Sequence, residues 1–140
     1  MPKITRWHLK IGLIYFIASL FLAVLFRLQP FTSITPQIHT FRPVYYHMLM
    51  VGWMTQIIIG VSIWMFPRLT RENPRGSEVL NWLTFYCLNI GLLLRIASEP
   101  FISLGSPSHL FSYLLFFSGI LQWLAAISYA TNIWRRIKPK

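Results

Sequence analysis

The sequence predicts an all-α integral membrane protein, a four-helix bundle with both termini inside (N-in/C-in). Three observations carry this. Four long apolar runs each approach the roughly 20 residues that a membrane helix requires. Prolines and glycines punctuate the connections. Basic residues gather on one side of the resulting pattern. Composition agrees, with 55% of the 140 residues hydrophobic and 11% charged, where a soluble domain carries about 25% charged residues. A chain this apolar is not a disordered one.

The elements follow in order. The first helix is expected over about 8–28, built on the uncharged run Ile11–Phe26, with Gly12 and Ser19 as soft spots. Lys3, Arg6 and Lys10 precede it as they would a signal peptide, but no small-x-small cleavage pattern follows, so a retained helix is expected. Gln29–Pro43, with Pro30, Pro36 and Pro43, is a loop, and the second helix spans about 44–66. PRLTRENPRGSE is a polar turn before a third helix at about 79–98. A loop is expected from Pro100 to Ser108, because a proline restricts its predecessor. The fourth helix, about 109–134, opens with Ser106 as cap and Pro107 at its first position. Residues 1–140 read as a single transmembrane domain without a convincing repeat.

The net charge is +10. On an oily chain that charge marks the cytoplasmic side of a membrane, so no nucleic-acid partner is expected. Lys3, Arg6, Lys10, Arg68, Arg71, Arg75, Arg135, Arg136, Lys138 and Lys140 all fall on one side, ten of the 13 basic residues. Their ordinary role is topology and contact with anionic membrane lipid. Arg27, Arg42 and Arg95 are the exceptions, at the outer ends of the first three helices. Glu99 follows Arg95 by one helical turn and offers an i,i+4 partner. Two readings stand for these arginines: snorkelling to outer headgroups, or binding an anionic group such as haem propionates, which the guanidinium fork suits.

Cys87 is the lone cysteine, which excludes an internal disulfide framework and a Cys-rich zinc site. Of the four histidines, His8 reads as an interfacial residue of the basic flank and His39 as a solvated loop residue. His47 and His109 each lie about one turn from the outer end of alternate helices, which brings them to similar depth. Ionisable groups within a membrane usually face the bundle interior. Two imidazoles at matched depth have the geometry of a bis-histidine haem. The plainer alternative makes His109 a polar first-turn residue. Met54, Ile58 and Met65 share the face of His47 at helical spacing, as pocket lining or ordinary packing. Gln56, Asn89 and Gln122 lie deep in the spans, where interhelical hydrogen bonding is their expected role.

The stretch RPVYYHMLMVGWMTQIIIGVSIWMFPR, Arg42 to Arg68, resembles the second-helix signature of haem–copper oxidase subunit I, including its nitric oxide reductase and NnrS-like branches. The matching elements are Arg42–Pro43, His47, Gly52–Trp53, Gly60 and Phe66–Pro67–Arg68. The resemblance implies that His47 ligates a low-spin haem. Gly52 and Gly60 suit close approach of a ring or another backbone. Full subunit I chains have about twelve helices and a copper site with an adjacent histidine pair; no such pair occurs here, so no binuclear oxygen-reduction site is expected from this chain alone. Assigning His109 as the second axial ligand goes beyond the motif.

Two functions compete. The first is a b-type cytochrome-like protein in the inner membrane of a prokaryotic cell. It would bind one haem b per chain through His47 and His109, with Arg42, Arg95 and Arg27 on the propionates and Gly52 and Met54 near the ring. It would transfer electrons beside other membrane redox subunits or by self-association. The second is a haem-free accessory or assembly subunit of a membrane redox complex. A stand-alone enzyme fits least, because no nucleophile–base set or acid pair is present.

Overall fold

The structure, a computed structural model, describes residues 1–28, 36–105 and 109–137. All regular structure among the described residues is helical. Four helices among the described residues are long and apolar enough to cross a membrane: α1 (Lys3–Leu28), α2 (Ile38–Met65), α3 (Glu78–Ser103) and α4 (His109–Trp134). The expected Ser106–Pro107 helix start, and Lys138 and Lys140, lie outside the described residues.

Small residues set the helix pairs. α1 and α2 run antiparallel, with Gly12 against Ile57 and the Gly52 carbonyl, and with His8 against Gly60. A Cβ placed on Gly60 would stand 2.7 Å from the His8 Cβ, so only glycine permits this approach. α3 and α4 form the other antiparallel pair, close at Gly91 and Ser118 and stacked at Phe101 on Phe111. One apolar cluster joins Ile4, Ile59, Ile63, Phe85, Leu88 and Ala125 across all four helices. A second joins Tyr15, Val44, Met48 and Leu92.

Polar side chains share the interior with these apolar clusters, and the outer surface of the spans is apolar. Thr5, His8, Ser19, Gln56, Ser98 and Ser118 are buried, while Ile17, Phe21, Phe116 and Trp123 face outward. Lipid is as apolar as those outward side chains, so small-residue packing and interhelical hydrogen bonds hold such helices together. Ser62 bonds Tyr129 at 2.8 Å, and Asn132 ties α4 to the start of α3 through Asn81 (2.8 Å) and the Ser77 backbone N–H (2.9 Å). The expected pairing by Gln56, Asn89 and Gln122 differs. Asn89 donates to the Phe85 carbonyl and Gln122 to Ser118, each within its own helix, and Gln56 has no hydrogen-bond partner among the described residues.

Both ends of the bundle are organised. The starts of α1 and α3, the 66–77 turn and the end of α4 share one end, here the basic end. Ser77 caps α3 through the Leu80 N–H, and Glu78 follows in the first turn. Arg136, expected at a lipid surface, is instead only 1% exposed. Its guanidinium donates to the carbonyls of Ile63 (3.0 Å), Phe66 (2.6 Å) and Pro67 (3.0 Å), closing the C-terminus of α2. Burial and the nearby Arg75 charge hold its pKa below the usual arginine value, against a smaller opposing effect of Tyr129. His8 likewise is buried rather than interfacial, edge-on to Phe85.

At the distal end, α3 does not stop before Pro100 but continues to Ser103. Pro100 falls in the last turn, where its missing N–H forfeits only one bond. Its own carbonyl still accepts from the Leu104 N–H at 3.0 Å, and Gly105, at φ 74°, makes the turn away.

Candidate functional site

Helix α2 is not uniform. It begins within a 3₁₀ turn (Pro36–Phe41), becomes α-helical over Arg42–His47, widens to a π-helix over Met48–Thr55 and returns to α-helix over Gln56–Met65. Pro43 sits at the first positions of the α segment, where its missing N–H costs nothing. His47 is the last residue before the widened turns. Such π segments occur often at functional sites.

His47 is held on both ring nitrogens. Nδ1 lies 2.8 Å from the Pro43 carbonyl and 3.1 Å from Glu99 Oε1. Both partners accept hydrogen bonds, so the pattern places the ring proton on Nδ1 and leaves the Nε2 lone pair to accept from Arg95 Nη1 at 3.2 Å. Arg95 also donates to Glu99 at 3.2 Å, the expected i,i+4 pair, and through Nε to Ser118 at 3.3 Å. The Ser118 hydroxyl donates in turn to the Gly91 carbonyl at 2.7 Å. Three helices therefore meet in one polar clasp: α2 through His47, α3 through Arg95 and Glu99, α4 through Ser118. Glu99 is buried, and its Oε2 has no partner among the described residues. The His47 side chain remains 30% exposed.

The other expected site residues are not gathered here. His109 is exposed at the start of α4, beyond the Phe101–Phe111 stack, and makes no hydrogen bond or ion pair among the described residues. His47 lies level with Arg95 and Glu99, and α4 reaches this group through Ser118, which sits opposite Gly91, rather than through His109, which lies further out next to the Phe101–Phe111 stack. Arg27 and Arg42 are exposed near the same end, and His39 is exposed in the 3₁₀ turn. Gly52 is occupied by packing, because a Cβ there would stand 2.7 Å from the Tyr15 ring and 2.9 Å from Leu92. Met54, Ile58 and Met65 face outward. Their shared phase with His47 assumed 3.6 residues per turn throughout, and the π segment breaks that register. Nothing in the sequence pattern singled out Ser118. A serine opposite Gly91 was the available signal, and it needed the pairing of α3 with α4 to be read.

No curated protein and no solved structure matches the chain. The family model for Cytochrome C and Quinol oxidase polypeptide I matches residues 3–140, and with nearly the whole chain covered the protein belongs to that family, subunit I of the haem–copper oxidases.

Proposed function

We propose that the chain binds one haem b at its distal end, with His47 as an axial ligand, and serves electron transfer within a respiratory or other bioenergetic complex of a prokaryotic inner membrane. The state of the His47 imidazole carries this reading. Histidines that ligate metals ordinarily donate their other ring N–H to a carbonyl or carboxylate, which fixes tautomer and ring orientation. His47 Nδ1 has both kinds of partner, and Nε2 keeps the lone pair that iron takes. The donor set therefore fits one axial ligand. Arg95 shares Nε2 and has to turn aside for it, while Ser118 and Glu99 keep its guanidinium beside the site, where a propionate pairs with positive charge. Haem b, when bound, supplies a one-electron redox couple. Arg42 and Arg27, exposed at the same end, are the further propionate partners, and His109 is assigned the second axial position. Reaching it requires the start of α4 to move toward α2, or a second copy of the chain to present the histidine.

The visible spectrum of the purified protein tests this. The expected result is a low-spin haem b signal at one haem per chain, abolished or made five-coordinate in His47→Ala, because low-spin iron needs two strong axial ligands. His109→Ala is expected to do the same. A low-spin signal that survives His109→Ala moves the second position to His39. One observation favours the alternative, an accessory or assembly subunit: His47, Arg95, Glu99 and Ser118 already bond one another, so the clasp also works as a structural tie between three helices. A colourless protein, purified under conditions that retain membrane haems, selects that reading.

A further inference from the structure

The basic end holds a crevice of about 820 Å³ between the 66–77 turn and the end of α4. Arg68, Arg71, Arg75 and Arg136 line it, and no carboxylate does. Glu72 and Glu78 line a neighbouring crevice with Lys3, and Arg75 borders both crevices without an ion pair to either carboxylate among the described residues. The side chains of Arg68, Arg71 and Arg75 form no ion pair or hydrogen bond among the described residues. Arg136 borders the same space from within the fold, without a carboxylate partner among the described residues and with three N–H groups spent on backbone carbonyls. Four guanidinium groups around one cavity repel one another unless an anion sits among them.

The rest of the lining says which anion. Trp64 and Phe66, half-exposed at the end of α2, form the wall where the membrane span ends. Aromatic side chains at that level sit among lipid headgroups. A soluble anion has no use for such a wall. A diacyl lipid has, because its phosphodiester reaches the arginines while its glycerol and acyl chains continue along Trp64 and Phe66 into the bilayer. Arginine forks match phosphate oxygens bidentately, and basic pockets at helix ends take acidic lipid headgroups. We propose that this crevice is a specific site for one anionic glycerophospholipid per chain, distinct from the general attraction of a basic surface to a membrane. The site is independent of the haem reading and of which side of the membrane carries it.

Native mass spectrometry of the full chain in detergent, with phosphatidylglycerol or phosphatidylcholine added, tests it. The expected result is one retained phosphatidylglycerol per chain and no retained phosphatidylcholine. The triple variant Arg68→Gln/Arg71→Gln/Arg75→Gln is expected to lower occupancy by about tenfold or more. Arg6→Gln/Lys10→Gln, exposed on the same end but outside the crevice, is expected to leave it unchanged. Arg71→Lys, which keeps the charge and loses the fork, is expected to fall between. If the triple variant fails to fold by circular dichroism, Arg71→Gln and Arg75→Gln singly are each expected to lower occupancy several-fold. Equal retention of phosphatidylcholine, or equal loss in Arg6→Gln/Lys10→Gln, overturns the proposal. Displacement of the lipid by millimolar inorganic phosphate overturns it in favour of a soluble anion.

Discussion

His47, Arg95 and Glu99 would each be costly alone inside a membrane, and each answers the others' charge or hydrogen-bonding need. Removing one leaves the rest unbalanced. With haem bound, Arg95→Ala and Arg42→Ala are each expected to lower the reduction potential. A positive charge near the iron favours the reduced form, which carries one positive charge fewer, so losing it favours the oxidised form. Redox titration of both variants checks this, and unchanged potentials would return Arg42 to a snorkelling role and leave Arg95 as a structural tie in the clasp. Arg136 gives a second prediction at this scale. Arg136→Ala strands three carbonyls at the end of α2 and is expected to cost about 1–3 kcal/mol. Thermal unfolding followed by far-ultraviolet circular dichroism in detergent reads that loss, with exposed Arg135→Ala as the comparison expected to stay near wild type. His47 was legible from its motif and Arg95–Glu99 from their spacing. The burial of Arg136 was not, because its partners lie about seventy residues away in sequence.

Periodicity places helices well and phases them poorly where the turn widens. The π segment of α2 carries no marker residue, so the stripe Met54, Ile58 and Met65 pointed inward on paper and points to lipid in the fold. The Thr55 hydroxyl bonds the carbonyl five residues back, at Met50 (2.9 Å), where α-helical spacing would offer the fourth. Glycine roles divide in the same way. Gly60 is pressed on His8, whereas a Cβ on Gly119 meets nothing within 4 Å. Gly60→Ala is expected to force α1 and α2 apart and cost about 1–3 kcal/mol. Gly119→Ala is expected to hold or slightly raise stability, because alanine is the better helix former. Thermal melts of the pair decide it, and an undisturbed Gly60→Ala would mean that the α1–α2 contact is looser than drawn.

For the whole molecule, the apolar outer surface and the clustered charge speak to topology. On the positive-inside rule the basic end is expected in the cytoplasm, and labelling tests that expectation. In a Cys87→Ser background, a cysteine at Ser103 is expected to react with an impermeant thiol reagent added outside, and a cysteine at Asn73 is not. Both positions are exposed and lie at opposite ends of the bundle. Outside labelling of Asn73 would reverse the orientation and move the His47 clasp to the cytoplasmic half.

The sequence by itself determined the helical class, the four spans, the segregation of charge and the motif around His47, because each is written in local composition or short-range spacing. A long apolar run has one solution in lipid, a helix that satisfies its own backbone. Tertiary structure alone decided which polar groups meet. It brought Ser118 to Arg95, withdrew Arg136 and His8 from the surface, and left His109 at the rim. Those outcomes depend on which helices pair, how closely their glycines let them approach, and where α2 widens. Contacts between residues distant in the chain have no local signature, so only the assembled bundle reveals them.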